Sequence, residues 1–291
     1  MSPMTMGRLA RFAPRRVVSA LRWRRAMDRY RAGRFRLETL SGVRADAADT
    51  AGAVPTAAGR LPVIVCLWNR RERIDEVLRL LDAQQGGERI ELLLWNNNAA
   101  DASFYRTRIA AFRGAGALAS VSLFSSRVNV GGLGRFFAAR QLWTHGYRGP
   151  IVTVDDDQDV SPHFVSDLLA AWTPHSIAGW WAWTMEGAYW ARTPAQPGDR
   201  VDYVGTGGCV WDADLVDSEE FFTGLPRHFA FIEDIWMCAN AKRRDWPIRK
   251  VDTPIEFVLD ETNQHHSLAG LKAEFYDYLR LGDDRGDGPT R

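Results

Sequence analysis

Three adjacent carboxylates, Asp155, Asp156 and Asp157, close the apolar run Ile151 to Val154, and Asp159 follows. Ionised neighbours repel one another, and burial at a strand end adds a desolvation cost, so their charged forms need a cation or several donors beside them. An all-oxygen ligand set selects a hard divalent ion such as Mg2+ or Mn2+. A calcium-binding loop would take Asp155, Asp157 and Asp159 as its first ligands. It fails further on, because Val160 stands where that loop needs glycine and Ser166 where it needs a bidentate glutamate. A helix cap accounts for Asp159 or Ser161 ahead of Pro162 and leaves the triplet unexplained. Glu233 and Asp234 form a second acidic pair at the predicted start of a helix, where the helix dipole favours negative charge. A carboxylate placed there can act as a general base, with N-terminal capping as the plainer alternative. His265 and His266 follow Asp260 and Glu261, and a histidine can complete a coordination shell begun by carboxylates. His145, His163, His175 and His228 lack such a context.

The elements that must position these groups alternate regularly. Leu61 to Trp68, Ile90 to Trp95, Val121 to Phe124 and Ile151 to Val154 are short apolar runs of the kind buried parallel strands show. Helical spacing follows the first, with Ile74, Val77, Leu78 and Leu81, and the third and fourth are followed by helices around Leu133 to Phe137 and Val165 to Trp172. Strand, loop and helix in repetition predict an α/β domain with a mainly parallel sheet flanked by helices. Ligands of such sheets sit beyond the carboxyl ends of the strands. The polar clusters Asn96 to Asp101 and Asp155 to Asp159 fall at those ends.

The chain has 291 residues, 46% hydrophobic and 25% charged, with a formal net charge of +1, which excludes a largely disordered protein. No apolar run approaches the length of a bilayer span. Three cysteines, Cys66, Cys209 and Cys238, lie far apart and suggest neither a disulfide framework nor a zinc site. Arginines crowd residues 1–44, opposed only by Asp28 and Glu38, and this segment reads as a basic, partly helical extension. Val17, Val18, Leu21, Trp23, Met27 and Tyr30 mix with the arginines in a pattern compatible with a helix on an anionic membrane surface or with a solvated arm. No nucleic-acid-binding module follows it. Residues 45–60 read as a linker, 61–281 as the folded domain and 282–291 as a disordered tail.

The ordered set of motifs from about Leu61 to His266 resembles the GT-A fold nucleotide-sugar glycosyltransferases, in particular family 2-like bacterial galactofuranosyl- and rhamnosyltransferases. The first strand and the turn with Asn69 and Arg71 resemble the family's opening. The segment ELLLWNNNAAD stands at its nucleotide-binding turn, with Asn96 and Asp101 at the matching positions. NVGGLGRFFAAR resembles its Asn-x-Gly-Gly segment and contributes Asn129, Gly131 and Arg135. VDDDQD resembles the metal-binding DxD motif, GTGGCVWDADLV the glycine-rich acceptor-side strand with Gly207 and Gly208, and FIEDIW the Glu-Asp helix.

The resemblance implies a metal-dependent glycosyltransferase that moves a sugar from a UDP- or dTDP-linked donor to a hydroxyl of a glycan or glycolipid, with inversion. It implies Mn2+ or Mg2+ on Asp157 and Asp155, completed by His265 or His266. Asp155 and Asp156 would also contact the nucleotide. Asp234 would be the base and Glu233 its acceptor-binding partner. Trp181 and Trp236 offer flat apolar faces to sugar rings, although tryptophans usually fill cores. Asparagine at 96, where aspartate is usual, is reminiscent of the retaining exostosin-like transferases. A nucleotidyltransferase would need a basic glycine-rich loop after the first strand, which Trp68 to Arg73 lacks, and a non-catalytic nucleotide- or glycan-binding protein is the remaining alternative. The implied location is cytoplasmic, peripheral at the inner face of the membrane.

Overall fold

A computed structural model describes residues 20–40, 59–258 and 265–284. Helix α1 (residues 20–31) leads into β1 (Glu38–Leu40). The repeating part follows as β2 (Arg60–Leu67), α2 (Ile74–Asp82), β3 (Arg89–Asn96), α3 (Ala102–Ala111), β4 (Leu118–Ser125), α4 (Leu133–Thr144) and β5 (Pro150–Asp155). Next come β6 (Gln158–Val160), α5 (Phe164–Ala171), β7 (Ile177–Gly179), β8 (Ala182–Ala188), β9 (Ala191–Pro194), β10 (Tyr203–Val204) and β11 (Cys209–Asp212). The chain closes with α6 (Glu220–Thr223), α7 (Glu233–Arg243), β12 (Ile248–Lys250), β13 (Ile255–Phe257) and α8 (His265–Asp284).

The main sheet has eight strands in the order β1-β4-β3-β2-β5-β11-β7-β12. Strands β4, β3, β2 and β5 are mutually parallel, as expected. β11 runs antiparallel to both β5 and β7, which makes the sheet mixed on that side. Two smaller sheets, β10-β8-β9 and β13-β6, flank the carboxyl end of β5.

The period of two along each strand sorts side chains to opposite faces. Val63, Val65 and Leu67 of β2 join Leu92 and Leu94 of β3 in one core with helices α2, α3 and α5. Ile64, Leu93 and Trp95 point into the other core, with α4, α7 and the buried side of α8. With helices on both faces, the parallel strands can be apolar throughout, which is why they read as unbroken hydrophobic runs.

The domain begins further upstream than the expected boundary at residue 61. Tyr30, Phe35 and Leu37 are buried in the second core, and Tyr30 meets Phe35, Trp95 and Phe124 edge-on. β1 then adds an antiparallel edge strand to β4. The apolar residues of α1 that could have entered a bilayer, Trp23, Met27 and Tyr30, are therefore turned toward the domain, leaving Leu21, Arg22, Arg24 and Arg25 outward. The linker expected at 45–60 falls almost wholly outside the described residues, and α8 continues to Asp284, past the expected start of the tail. Among the described residues no helix is long and apolar enough to cross a membrane.

Candidate active site

A cavity of about 500 Å³ opens at the carboxyl ends of β2, β3 and β5. Its wall includes Asn129, Gly131, Arg135, Asp155, Asp156, Asp157, Trp181, Gly207, Glu233 and Asp234. The acidic triplet and the Glu-Asp pair thus open into one space, although the elements from β6 to α6 separate them along the chain.

The triplet ends β5, where the apolar strand carries it up to the sheet edge. Arg70 spans two of its members, with Nη1 2.7 Å from Asp156 Oδ1 and Nη2 2.9 Å from Asp157 Oδ2. The backbone N–H of Trp68 donates to the other Asp156 oxygen at 3.0 Å. Burial pushes Asp156 up to about 7, outweighing Arg70 and the Trp68 amide. Burial, then the charge of Asp155, pushes Asp157 up to about 6 against Arg70. Asp155 is more open, its side chain 35% exposed, and accepts from Arg135 Nη2 at 2.9 Å.

Helix α4 supplies Arg135, and the turn before it supplies close approach. A Cβ on Gly132 would fall 1.6 Å from Glu233 Oε1, and one on Gly207 would fall 2.3 Å from Asp155 Oδ2. Glycine at these positions admits the two carboxylates to the cavity. Arg135 lies between them, 3.9 Å from Glu233 Oε1, and also donates to the carbonyls of Gly132 and Thr206. It is a buried internal bridge rather than an open phosphate contact.

At the start of α7 the neighbouring carboxylates differ sharply. Burial pushes Glu233 up to about 7, opposed by Arg135 and reinforced by Asp234. Burial also works against ionised Asp234, but Lys272, 2.7 Å away, together with the Tyr203 hydroxyl and the Ile235 amide, holds it below the usual range.

Several expected site residues lie elsewhere. Trp236 is buried in the core, its indole N–H bonded to the Phe221 carbonyl, so it offers no face to a ligand. Gly208, with φ +79°, turns its α-carbon toward Ile255 and does not line the cavity. Asn96 is fully buried and braces its own loop through Asn98 and Ser125. Asn97 faces the cavity instead and clamps the next loop, donating to the Gly131 carbonyl and accepting from the Val130 amide. Asp101 accepts from Asn98, and Arg71 pairs with Glu72 over the Phe104 ring, both outside the cavity wall. Asn69 is exposed in a left-handed conformation while its neighbour Arg70 reaches inward. His265 and His266 begin α8, but their side chains lie outside the described residues.

Phe257, Tyr203 and Lys272 also line the cavity; none belongs to a motif, although Tyr203 stands two residues ahead of the glycine-rich segment that begins at Gly205. Asn97 did have one: counting by twos from Trp95 puts it on the α4 face.

The donor set of the triplet fits a divalent cation. Asp155 and Asp157 offer hard oxygen atoms to the same cavity, and the repulsion between them is what such an ion would relieve. Among the described residues, three potential ligands converge only at His175, Asp212 and Asp214, away from the cavity. There Asp212 accepts the amides of His175 and Asp214, and Asp214 accepts the Trp143 indole N–H, so hydrogen bonds account for the grouping.

No family model and no curated protein matches the chain. Among solved structures it is similar to residues 1–349 of S. aureus TarS in complex with UDP-GlcNAc (TM-score 0.48, 15% identity, 72% of this chain and 61% of that one). A longer TarS structure gives TM-score 0.46 and 14% identity over 72% of this chain and 38% of that one. GalNAc-T7 with UDP, GalNAc and Mn2+ gives TM-score 0.48 and 10% identity over 69% and 44%. The chain therefore spans less than two thirds of the length of these neighbours.

Proposed function

We propose that the protein is a metal-dependent glycosyltransferase of GT-A type, using a UDP- or dTDP-linked sugar and a glycan or glycolipid hydroxyl, with inversion at the anomeric carbon. One observation carries the reading: a strand-end acidic triplet and a helix-start carboxylate pair share a single cavity at the carboxyl edge of a parallel sheet. Departure of a nucleoside diphosphate builds negative charge that must be stabilised, while the incoming hydroxyl must lose a proton. The triplet serves the first need and the α7 pair the second.

Asp155 and Asp157 would hold Mn2+ or Mg2+, whose contribution is electrostatic stabilisation of the leaving diphosphate. Arg70, which lines the same cavity, pairs with Asp156 and Asp157 and so fixes their side chains in place. Asn97 and Asn129 shape the loop before α4, where backbone approaches the donor closely. Trp181 and Phe257 contribute aromatic surface on the side where β8 and β13 border the cavity, suited to the apolar face of a sugar ring. The outward arginines of α1 suit an anionic surface, in keeping with a peripheral place at the cytoplasmic side of a membrane.

A panel of nucleotide sugars, incubated with the protein in Mn2+ and in chelator, tests the reading. Hydrolysis or transfer with at least one donor, lost with chelator and with Asp157→Ala, is expected. Turnover indifferent to chelator, or no turnover and no donor binding across the panel, would overturn it.

A further inference from the structure

The two adjacent carboxylates of α7 are partnered in different ways. Asp234 Oδ1 accepts the Ile235 amide at 2.8 Å, while Oδ2 accepts both the Tyr203 hydroxyl and the Lys272 ammonium, the latter at 2.7 Å. Lys272 and Asp234 are each 12% exposed at the side chain, so the pair is nearly dry, and both partners of Oδ2 come from other elements, β10 and α8. Glu233 has no such clamp. Its cation neighbour is Arg135 at 3.9 Å, whose own donors already serve Gly132, Thr206 and Asp155. Its carboxylate occupies the space a side chain at position 132 would fill, on the wall of the cavity.

A base must change its protonation state during the reaction, and a carboxylate held by an ammonium and a phenol resists that change. Resting on the glycosyltransferase reading above, we propose that Glu233 takes the proton of the acceptor hydroxyl, and that Lys272 and Tyr203 are positioning residues that keep Asp234 as a fixed anion beside it. In that step the hydroxyl oxygen bonds to the anomeric carbon as the bond from that carbon to the phosphate oxygen breaks. The electron pair leaves with the nucleoside diphosphate, the proton passes to Glu233, and Glu233 later returns it to water.

The charged and titratable groups around Glu233 agree with this division. Asp234 on α7 and Asp155 on β5 strengthen its hold on a proton, and Arg135 on α4 opposes them. Lys272 on α8 and Cys66 on β2 complete its surroundings. A base whose proton affinity lies near neutrality combines a useful ionised fraction with a real driving force for proton transfer.

The test compares transfer and donor binding in the full chain, with UDP and Mn2+ as the binding probe and the best donor of the panel as substrate. Glu233→Gln should lower kcat by about 10²–10⁴-fold with UDP binding unchanged. Asp234→Asn should lose no more than about tenfold, and Asp234→Asn combined with Lys272→Met, which removes the ion pair whole, covers the case in which the single variant misfolds. Lys272→Met alone should lower kcat without raising the donor KM, and Lys272→Arg should restore it. An Asp234→Asn or double variant that loses as much transfer as Glu233→Gln, in an active parent, overturns the inference alone. A parent inactive with every donor overturns the glycosyltransferase reading itself, and this assignment with it.

Discussion

Arg70, on the cavity wall with 11% of its side chain exposed, holds Asp156 and Asp157 together. Removing one partner of a buried ion pair strands the other charge, so Arg70→Ala should cost about 3 kcal/mol, read from chemical denaturation. The same residues set an unusual pH dependence. Asp156 at about 7, Asp157 at about 6 and Glu233 at about 7 all lie above their ordinary values near 4, because burial disfavours the anions. A carboxyl whose folded pKa is raised contributes stability that is complete below its unfolded pKa and is lost as pH rises through its folded pKa. The melting temperature in metal-free buffer should therefore fall between about pH 4 and pH 7 on account of these groups, and added Mn2+ should recover part of the loss at pH 7. A melting temperature that climbs steadily over that range without metal would contradict the assigned burial of the triplet.

At the scale of elements, the turn between β4 and α4 decides whether α7 can present its carboxylates. Gly132 admits Glu233, and Gly134 lets the first turn of α4 lie against the Trp95 ring, where a Cβ would meet the indole at 2.3 Å. Gly132→Ala should push the Glu233 side chain from its place and lower transfer by at least about 10²-fold, the contribution of a positioned base. Gly134→Ala should act on the core instead, costing about 1–3 kcal/mol of overpacking. Paired activity and melting measurements separate the two: activity loss should exceed stability loss for Gly132→Ala and follow it for Gly134→Ala. Helix α8 is tied to α7 through Lys272, so the end of the chain helps to complete the site that its middle begins.

For the molecule as a whole, the sheet divides two cores, and the N-terminal segment belongs to one of them. Tyr30 and Phe35 close the aromatic group around Trp95, Phe124 and Phe137, and Tyr30 donates to or accepts from Ser126 across 2.8 Å. A chain shortened to begin at Gly59 would expose Trp95 and Phe124 and leave β4 as an unpaired edge. It should melt well below the full chain and aggregate on heating, as scattering during a thermal ramp would record. Trp95→Ala, which empties the centre of that group, should cost about 3–5 kcal/mol by denaturation. A shortened chain as stable as the parent would mean that residues 20–40 pack on the domain without supporting it.

The α/β alternation, the four parallel strands and the strand tip that bears the triplet are all legible in the order of residues, because apolar runs and helical spacing are local patterns that act wherever the chain goes. The same order places Glu233 and Asp234 at a helix start, since that pattern is local too. Packing in three dimensions sets which member of each polar cluster lines the cavity: Asn97 rather than Asn96, Arg70 rather than Arg71, with Trp236 drawn into the core. Neighbours in a turn point in different directions, and their spacing carries no sign of which direction is inward. Only the fold could bring Arg135 between Asp155 and Glu233, or Lys272 and Tyr203 onto Asp234, because such pairs depend on how strands and helices from separate parts of the chain are packed against one another.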